Sequence, residues 1–203
     1  TEYKKDVYLY TGDAYYKAGQ VERAEQIYKA YLSQDTNTEI ISSLMSSLLD
    51  QQKYDEMNQY LSSVSDDNSL SYLKGVAAMG LKKYDEAETH FQKVLANGDK
   101  GLSTKVYLNR VRNFFLAERY NEAIQAGEQY LSRINPDKEK AIYSEMLDKI
   151  GLSYFRVGKY DQARSYYSKI TSMKGYEVYG KFQIADSYYN EKNYAKAGEL
   201  YKA

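Results

Sequence analysis

One short pattern recurs along the whole chain at a nearly constant interval. It reads "VERAEQIY" (21–28), "YDEMNQYL" (54–61), "YDEAETHF" (84–91), "YNEAIQAG" (120–127), "YDQARSYY" (160–167) and "YAKAGELY" (194–201). Its fourth position is Ala24, Met57, Ala87, Ala123, Ala163 and Ala197, spaced by 33, 30, 36, 40 and 34 residues. A period this short is too small for a self-sufficient core. Each unit must bury its apolar face against the next, so the chain is expected to form a stack of similar units.

The residues around that anchor give the unit its shape. Twelve positions before it stand Gly12, Met45, Gly75, Val111, Gly151 and Ala185, mostly small; four positions after it stand Tyr28, Leu61, Phe91, Gly127, Tyr167 and Tyr201, mostly large. Large residues spaced by three and four mark one buried stripe on each of two helices. Small residues fall where two helices cross closely. A turn is expected at "KAGQ" (17–20), "RVGK" (156–159) and "NEKN" (190–193), where glycine or a polar residue ends the first helix. Acidic residues such as Asp85 and Glu86 then open the second helix, at the positive end of its dipole.

A small residue, an aromatic, a turn, then aromatic, alanine and aromatic on a period near 34 residues resembles the tetratricopeptide repeat. The resemblance implies an all-α, right-handed superhelical solenoid of about six helix-turn-helix repeats. The units are expected near 5–37, 38–67, 68–99, 104–136, 144–174 and 178–203, as one domain over 1–203 and as a piece of a longer protein. Two units depart from the pattern. The second is serine-rich, with Met45 and Met57 at small positions, and is expected to be shifted or looser. The fourth has Val111 and Gly127 reversed in size, as though one helix returned the volume the other took. "RINPDKEKAIYSEML" (133–147) carries extra residues around the single proline, Pro136, and is expected to be an extended loop or a longer helix start.

Composition narrows the function. The chain holds 28 basic and 28 acidic residues, so it lacks the positive excess that displaces counterions from nucleic acid. There is no cysteine, hence no thiol nucleophile or thiolate metal site. The one histidine, His90, stands beside Phe91 on a second helix, where a solvated or packed side chain is expected rather than a catalytic one. Neither an enzyme active site nor a cofactor site is expected. No apolar run approaches the roughly 18–20 residues that span a bilayer.

The resemblance implies a concave groove lined by the first helix of each unit, holding a peptide or a partner protein. The expected groove residues are Tyr10, Asp13 and Tyr16 in the first unit and Tyr72 in the third. The fourth supplies Lys105, Asn109, Arg112 and Phe115, the fifth Lys149, Phe155 and Arg156, and the sixth Tyr179, Phe182, Asp186 and Tyr189. Rigid aromatic side chains suit recognition because they bury much area at small entropic cost. Lys105, Arg112, Lys149 and Arg156 form a basic patch, for which one expectation is a partner with an acidic segment. The other is that these side chains pair with Glu145, Asp148 or solvent. A clamp for a terminal carboxylate is not expected: Lys105 and Asn109 match its opening, but Lys149, Tyr179 and Gln183 do not continue it. A second functional reading is an assembly component of a bacterial cell-envelope complex. If the register is right, Ala163→Leu overpacks a helix crossing and costs about 1–3 kcal/mol, which a thermal unfolding curve would detect.

Overall fold

The computed structural model describes residues 2–64, 67–98 and 100–202. The ends expected for the third and sixth units, at 99 and 203, lie outside the described residues. Twelve α-helices and no strand occur among those described. They form two compact units, Thr1–Asn97 and Gly98–Ala203. The first contains α1 (Glu2–Lys17), α2 (Val21–Leu32), α3 (Thr38–Asp50), α4 (Tyr54–Ser62), α5 (Asn68–Gly80) and α6 (Tyr84–Ala96). The second contains α7 (Lys100–Leu116), α8 (Tyr120–Leu131), α9 (Lys140–Arg156), α10 (Tyr160–Thr171), α11 (Glu177–Asn190) and α12 (Tyr194–Tyr201). Each is three helical hairpins stacked in chain order, the arrangement of an all-α repeat solenoid.

Three of the six hairpins, the first, third and fifth, close around a glycine-on-ring contact. A methyl group placed on Gly12 would sit 2.2 Å from the Tyr28 ring, one on Gly75 2.5 Å from Phe91, and one on Gly151 2.8 Å from Tyr167. The missing side chain lets the ring of the second helix lie directly on the backbone of the first. All six anchor residues are buried, including Met57. The second hairpin is therefore in register, but it is looser than the rest: with Met45 and Leu61, both fully buried, α3 and α4 pack against each other less closely than the helices of any other hairpin. In the fourth hairpin the space left by Gly127 does not go to Val111. It is taken by the next hairpin, whose Ile150 Cγ1 lies 2.5 Å from where a Gly127 side chain would begin.

Every hairpin turns in the same way. Gly19, Gln52, Lys82, Glu118, Gly158 and Lys192, each five positions before its anchor, all have φ between 57° and 75°. In the first turn the Gly19 N–H bonds to the Tyr16 carbonyl and the Gln20 N–H to the Tyr15 carbonyl, both at 2.9 Å. The same two bonds recur in the other five, so carbonyls orphaned at each helix end are satisfied. The residue that makes the second bond is also the N-cap of the next helix: Gln20, Lys53, Lys83, Arg119, Lys159 and Asn193.

Contacts between hairpins differ from one junction to the next. In the first unit Glu25 of α2 accepts from Lys29 at 2.6 Å, Lys53 at 2.8 Å and Gln51 at 2.6 Å. Burial alone would raise its pKa; the three donors outweigh burial and hold the carboxyl at about 2. In the second unit Glu128 of α8 accepts from the hydroxyls of Tyr154 at 2.7 Å and Tyr166 at 2.8 Å, tying three helices. Before α9, Pro136 sits in a loop whose Asn135 side chain accepts from the backbone N–H groups of Asp137 and Lys138, and α9 is itself long at 17 residues. The extra residues thus make both a loop and a longer helix.

Four of the six turns place a non-glycine residue in a conformation that costs L-residues roughly 1–2 kcal/mol. Gly158→Ala is expected to lose about 1 kcal/mol. Lys82→Gly is expected to leave stability unchanged or raise it by up to about 1 kcal/mol, because relief of strain offsets the greater freedom of the unfolded chain. Urea unfolding midpoints are expected to fall for Gly158→Ala and to hold or rise for Lys82→Gly.

Candidate interaction surface

The side chains expected to face a partner lie on the first helices of the hairpins. In the first unit, Tyr10 on α1 presents its ring to solvent, 67% exposed. Asp13 accepts from the Tyr28 hydroxyl at 2.7 Å, and the Tyr16 hydroxyl donates to Asp50 at 2.5 Å across to α3. Both phenols are held above their usual pKa, Tyr28 by burial and then Asp13, Tyr16 by the Asp50 bond and then burial. Tyr72 on α5 is half-buried against Phe91, ring centroids 6.3 Å apart. Of these four, Tyr10 alone is classed as exposed; Asp13, Tyr16 and Tyr72 are half-buried.

In the second unit a continuous row of contacts links the expected residues on α7, α9 and α11. Arg112 holds Glu145 with two parallel bonds, Nε to Oε1 and Nη2 to Oε2, each 2.5 Å. Its third nitrogen reaches Asn109 at 2.8 Å. Asn109 departs from the expectation: it is buried, at 4% exposure, and supports Arg112 rather than facing outward. The ammonium of Lys149 stands 5.3 Å from the centre of the Phe115 ring and 3.3 Å from Asp148. Asp148 in turn accepts from the Tyr179 hydroxyl. Phe115 and Phe155 each meet a tyrosine of their own hairpin edge-on, Tyr120 and Tyr160, with centroids 5.5 Å apart.

Two of the four expected basic residues are therefore engaged within the protein, Arg112 by Glu145 and Lys149 by Asp148. Lys105 and Arg156 are exposed. On α11 the aromatic face is open. Phe182 and Tyr189 are each 54% exposed and Tyr179 is 38% exposed. Phe182 leans on Tyr201 with centroids 5.7 Å apart, and Tyr189 meets Tyr194 edge-on at 5.2 Å. Asp186 accepts from Tyr201 at 3.5 Å and from Asn190 at 3.4 Å.

The helices of this face are unevenly spaced. Whereas α7 packs directly on α9, α9 and α11 are joined chiefly through α10. Between them opens a cleft of about 480 Å³, lined by Ala141, Ser144, Glu145 and Asp148 of α9, Ile170 of α10, and Tyr176 and Tyr179. Tyr176 precedes α11 and Ile170 belongs to a second helix, so neither falls on a first-helix stripe. Ile170 is a repeated second-helix core position, equivalent to Tyr31, Val64, Val94 and Tyr130, whereas no periodic signal marks Tyr176.

Known proteins agree with the fold. A family model described as tetratricopeptide repeat matches residues 72–139 and 149–203, and another with the same description matches 6–38. The chain belongs to the tetratricopeptide repeat family. Among solved structures, a repeat protein of this family from Cytophaga hutchinsonii superposes with a TM-score of 0.72 at 16% identity, covering 96% of this chain and 76% of that one. A second, from Parabacteroides merdae, gives 0.71 at 14% identity with the same coverage. MamA of AMB-1 gives 0.61 at 17% identity, covering 80% of this chain and 94% of MamA. Identities this low establish the fold alone. No curated protein matches the chain in sequence. Members of the family bind protein partners and are generally non-catalytic. No helix among the described residues is long and apolar enough to cross a membrane.

Burial first, then its bond to Asp148, pushes the Tyr179 phenol well above the usual tyrosine range. A pKa raised in the folded state stabilises the fold below the unfolded value near 10 and loses that effect as pH climbs beyond it. The near-ultraviolet absorbance change of tyrosine ionisation is expected to include Tyr179 only at pH well above 10. The difference between titrations of the native chain and Tyr179→Phe isolates its contribution.

Proposed function

We propose that the chain is a non-catalytic interaction scaffold that holds a peptide or a partner protein against the first helices of its second unit. The observation that supports this most is the open aromatic face of α11. Tyr179, Phe182 and Tyr189 remain exposed on a helix whose opposite side is buried. Soluble proteins seldom leave several large aromatic side chains exposed together without a use for them. Their rings are already steadied by neighbours, Phe182 by Tyr201 and Tyr189 by Tyr194, so little freedom is lost when a partner settles on them. Phe155 and Phe115 would extend the same face along α9 and α7, while Tyr10, Tyr16 and Tyr72 would offer a smaller surface on the first unit.

Arg112 would serve this surface as a strut, joining α7 to α9 through Glu145. Lys105 and Arg156 remain the basic residues able to meet an acidic group on a partner.

The double variant Phe182→Ala, Tyr189→Ala tests the reading. Both positions are exposed, so the fold is expected to lose no more than about 1 kcal/mol. Quantitative affinity capture should lose at least one partner that the native chain retains, by a factor of about ten or more. A variant of native stability that captures the same partners equally well would remove the α11 face from the proposed function.

A further inference from the structure

The cleft between α9 and α11 has a definite chemical character. At about 480 Å³ it lies within the roughly 300–1,000 Å³ typical of small-ligand sites. Ser144, Glu145 and Asp148 line it from one face of α9, Ile170 forms its apolar part, and Tyr176 and Tyr179 wall it on the other side. The lining holds two carboxylates, Glu145 and Asp148, and none of its described residues is basic, though Arg112 and Lys149 meet those carboxylates from outside the lining.

Glu145 and Asp148 are engaged by Arg112 and by Lys149 and Tyr179. These contacts hold the two carboxylates in place without exhausting them. A carboxylate offers about four acceptor sites, and Arg112 uses two on Glu145 while Lys149 and Tyr179 use one each on Asp148. An entering anion would meet two carboxylates. An entering cation would meet unused acceptors and two phenol rings whose faces attract positive charge.

A second observation concerns the wall behind the cleft. Tyr167 lies on α10 one turn before Ile170 and is fully buried. Its hydroxyl has no hydrogen-bond partner among the described residues. The equivalent Tyr28 donates to Asp13, but Leu152 stands at that position in the fifth hairpin, so the acceptor is lost. Burial first, then Asp148, Tyr179 and Asp186, push the Tyr167 phenol up while Arg156 acts the other way; Tyr167 does not itself line the cleft.

We infer that the cleft between α9 and α11 is a subsite for a cationic side chain, a lysine or arginine carried by the bound segment. This rests on the scaffold reading and names the chemistry of its partner at one position. The sign differs from that suggested by Arg112 and Lys149 in sequence, because those two charges are used to anchor the acceptors. Arginine fits best, since its planar group can stack on Tyr176 or Tyr179 while donating to Asp148.

The test is an NMR titration of the whole 203-residue chain with Nα-acetyl-arginine amide, and in parallel with the glutamine and glutamate analogues. The arginine probe is expected to shift the backbone amides of Ser144, Asp148, Tyr176 and Tyr179 saturably, and the glutamate probe to leave them unmoved. Asp148→Asn keeps an acceptor for Tyr179 but removes the charge, and should weaken the arginine probe about tenfold. Tyr176→Leu keeps the apolar wall but removes the ring, and should weaken it as well. Absence of arginine-dependent shifts, equal shifts with glutamate, or unchanged affinity in both variants would overturn the subsite. Partner capture sensitive to Phe182 and Tyr189 alongside such a result would leave the scaffold reading standing without it.

Discussion

Three of the six hairpins depend on one contact: an aromatic ring laid on bare backbone. Where Gly12, Gly75 and Gly151 meet Tyr28, Phe91 and Tyr167, the absent side chain sets the distance between two helices. The ring then fills the gap with a rigid, largely apolar body. Once that distance is fixed, the same face of each hairpin is presented to the next, and stacking can repeat without a central core. Stability in such a chain is close to a sum of hairpin terms and neighbour terms. It is consistent with this that the ties between hairpins vary freely. Glu25 gathers three donors at one junction, Glu128 accepts from two tyrosines at another, and Arg164 grips Glu191 while lying over the Tyr188 ring at a third.

The hairpins were legible in the sequence because their signal is steric and local. A glycine twelve positions before an alanine, and a ring four after it, can be read without knowing what surrounds them. The exceptions were harder for the same reason. Gly127 is small on account of Ile150, which lies in the next hairpin, and periodicity within one unit carries no information about that neighbour. Met45, Met57 and Leu61 satisfy the second crossing by volume rather than by pattern. Gly180 illustrates another kind of silence. It allows α11 to approach the backbone of Thr171, where an added methyl would lie 2.8 Å from the backbone nitrogen, yet the repeat has no glycine at that position in its other copies.

The surface was legible in its aromatic part and less so in its charges. The exposed rings of α11 follow from helical spacing. Whether Arg112 faces a partner or Glu145 depends on two side chains 33 residues apart, and the answer comes from how closely α7 packs on α9. The acidic cleft depends in turn on α9 and α11 standing apart, with Tyr176 contributed from just outside a helix. Spacing between elements, rather than the identity of residues, decides both features.

The hairpin turns have one further consequence, for how such a chain can change in length. Each is three residues long, and the residue that closes one helix also opens the next. No room exists there for an added residue without unmaking both ends at once. The junctions between hairpins carry no such double duty, and the segment 132–139 is the longest of those fully described. Insertions and deletions over evolutionary time are therefore channelled to the junctions, which explains a repeat whose internal grammar is strict while its period wanders from 30 to 40 residues.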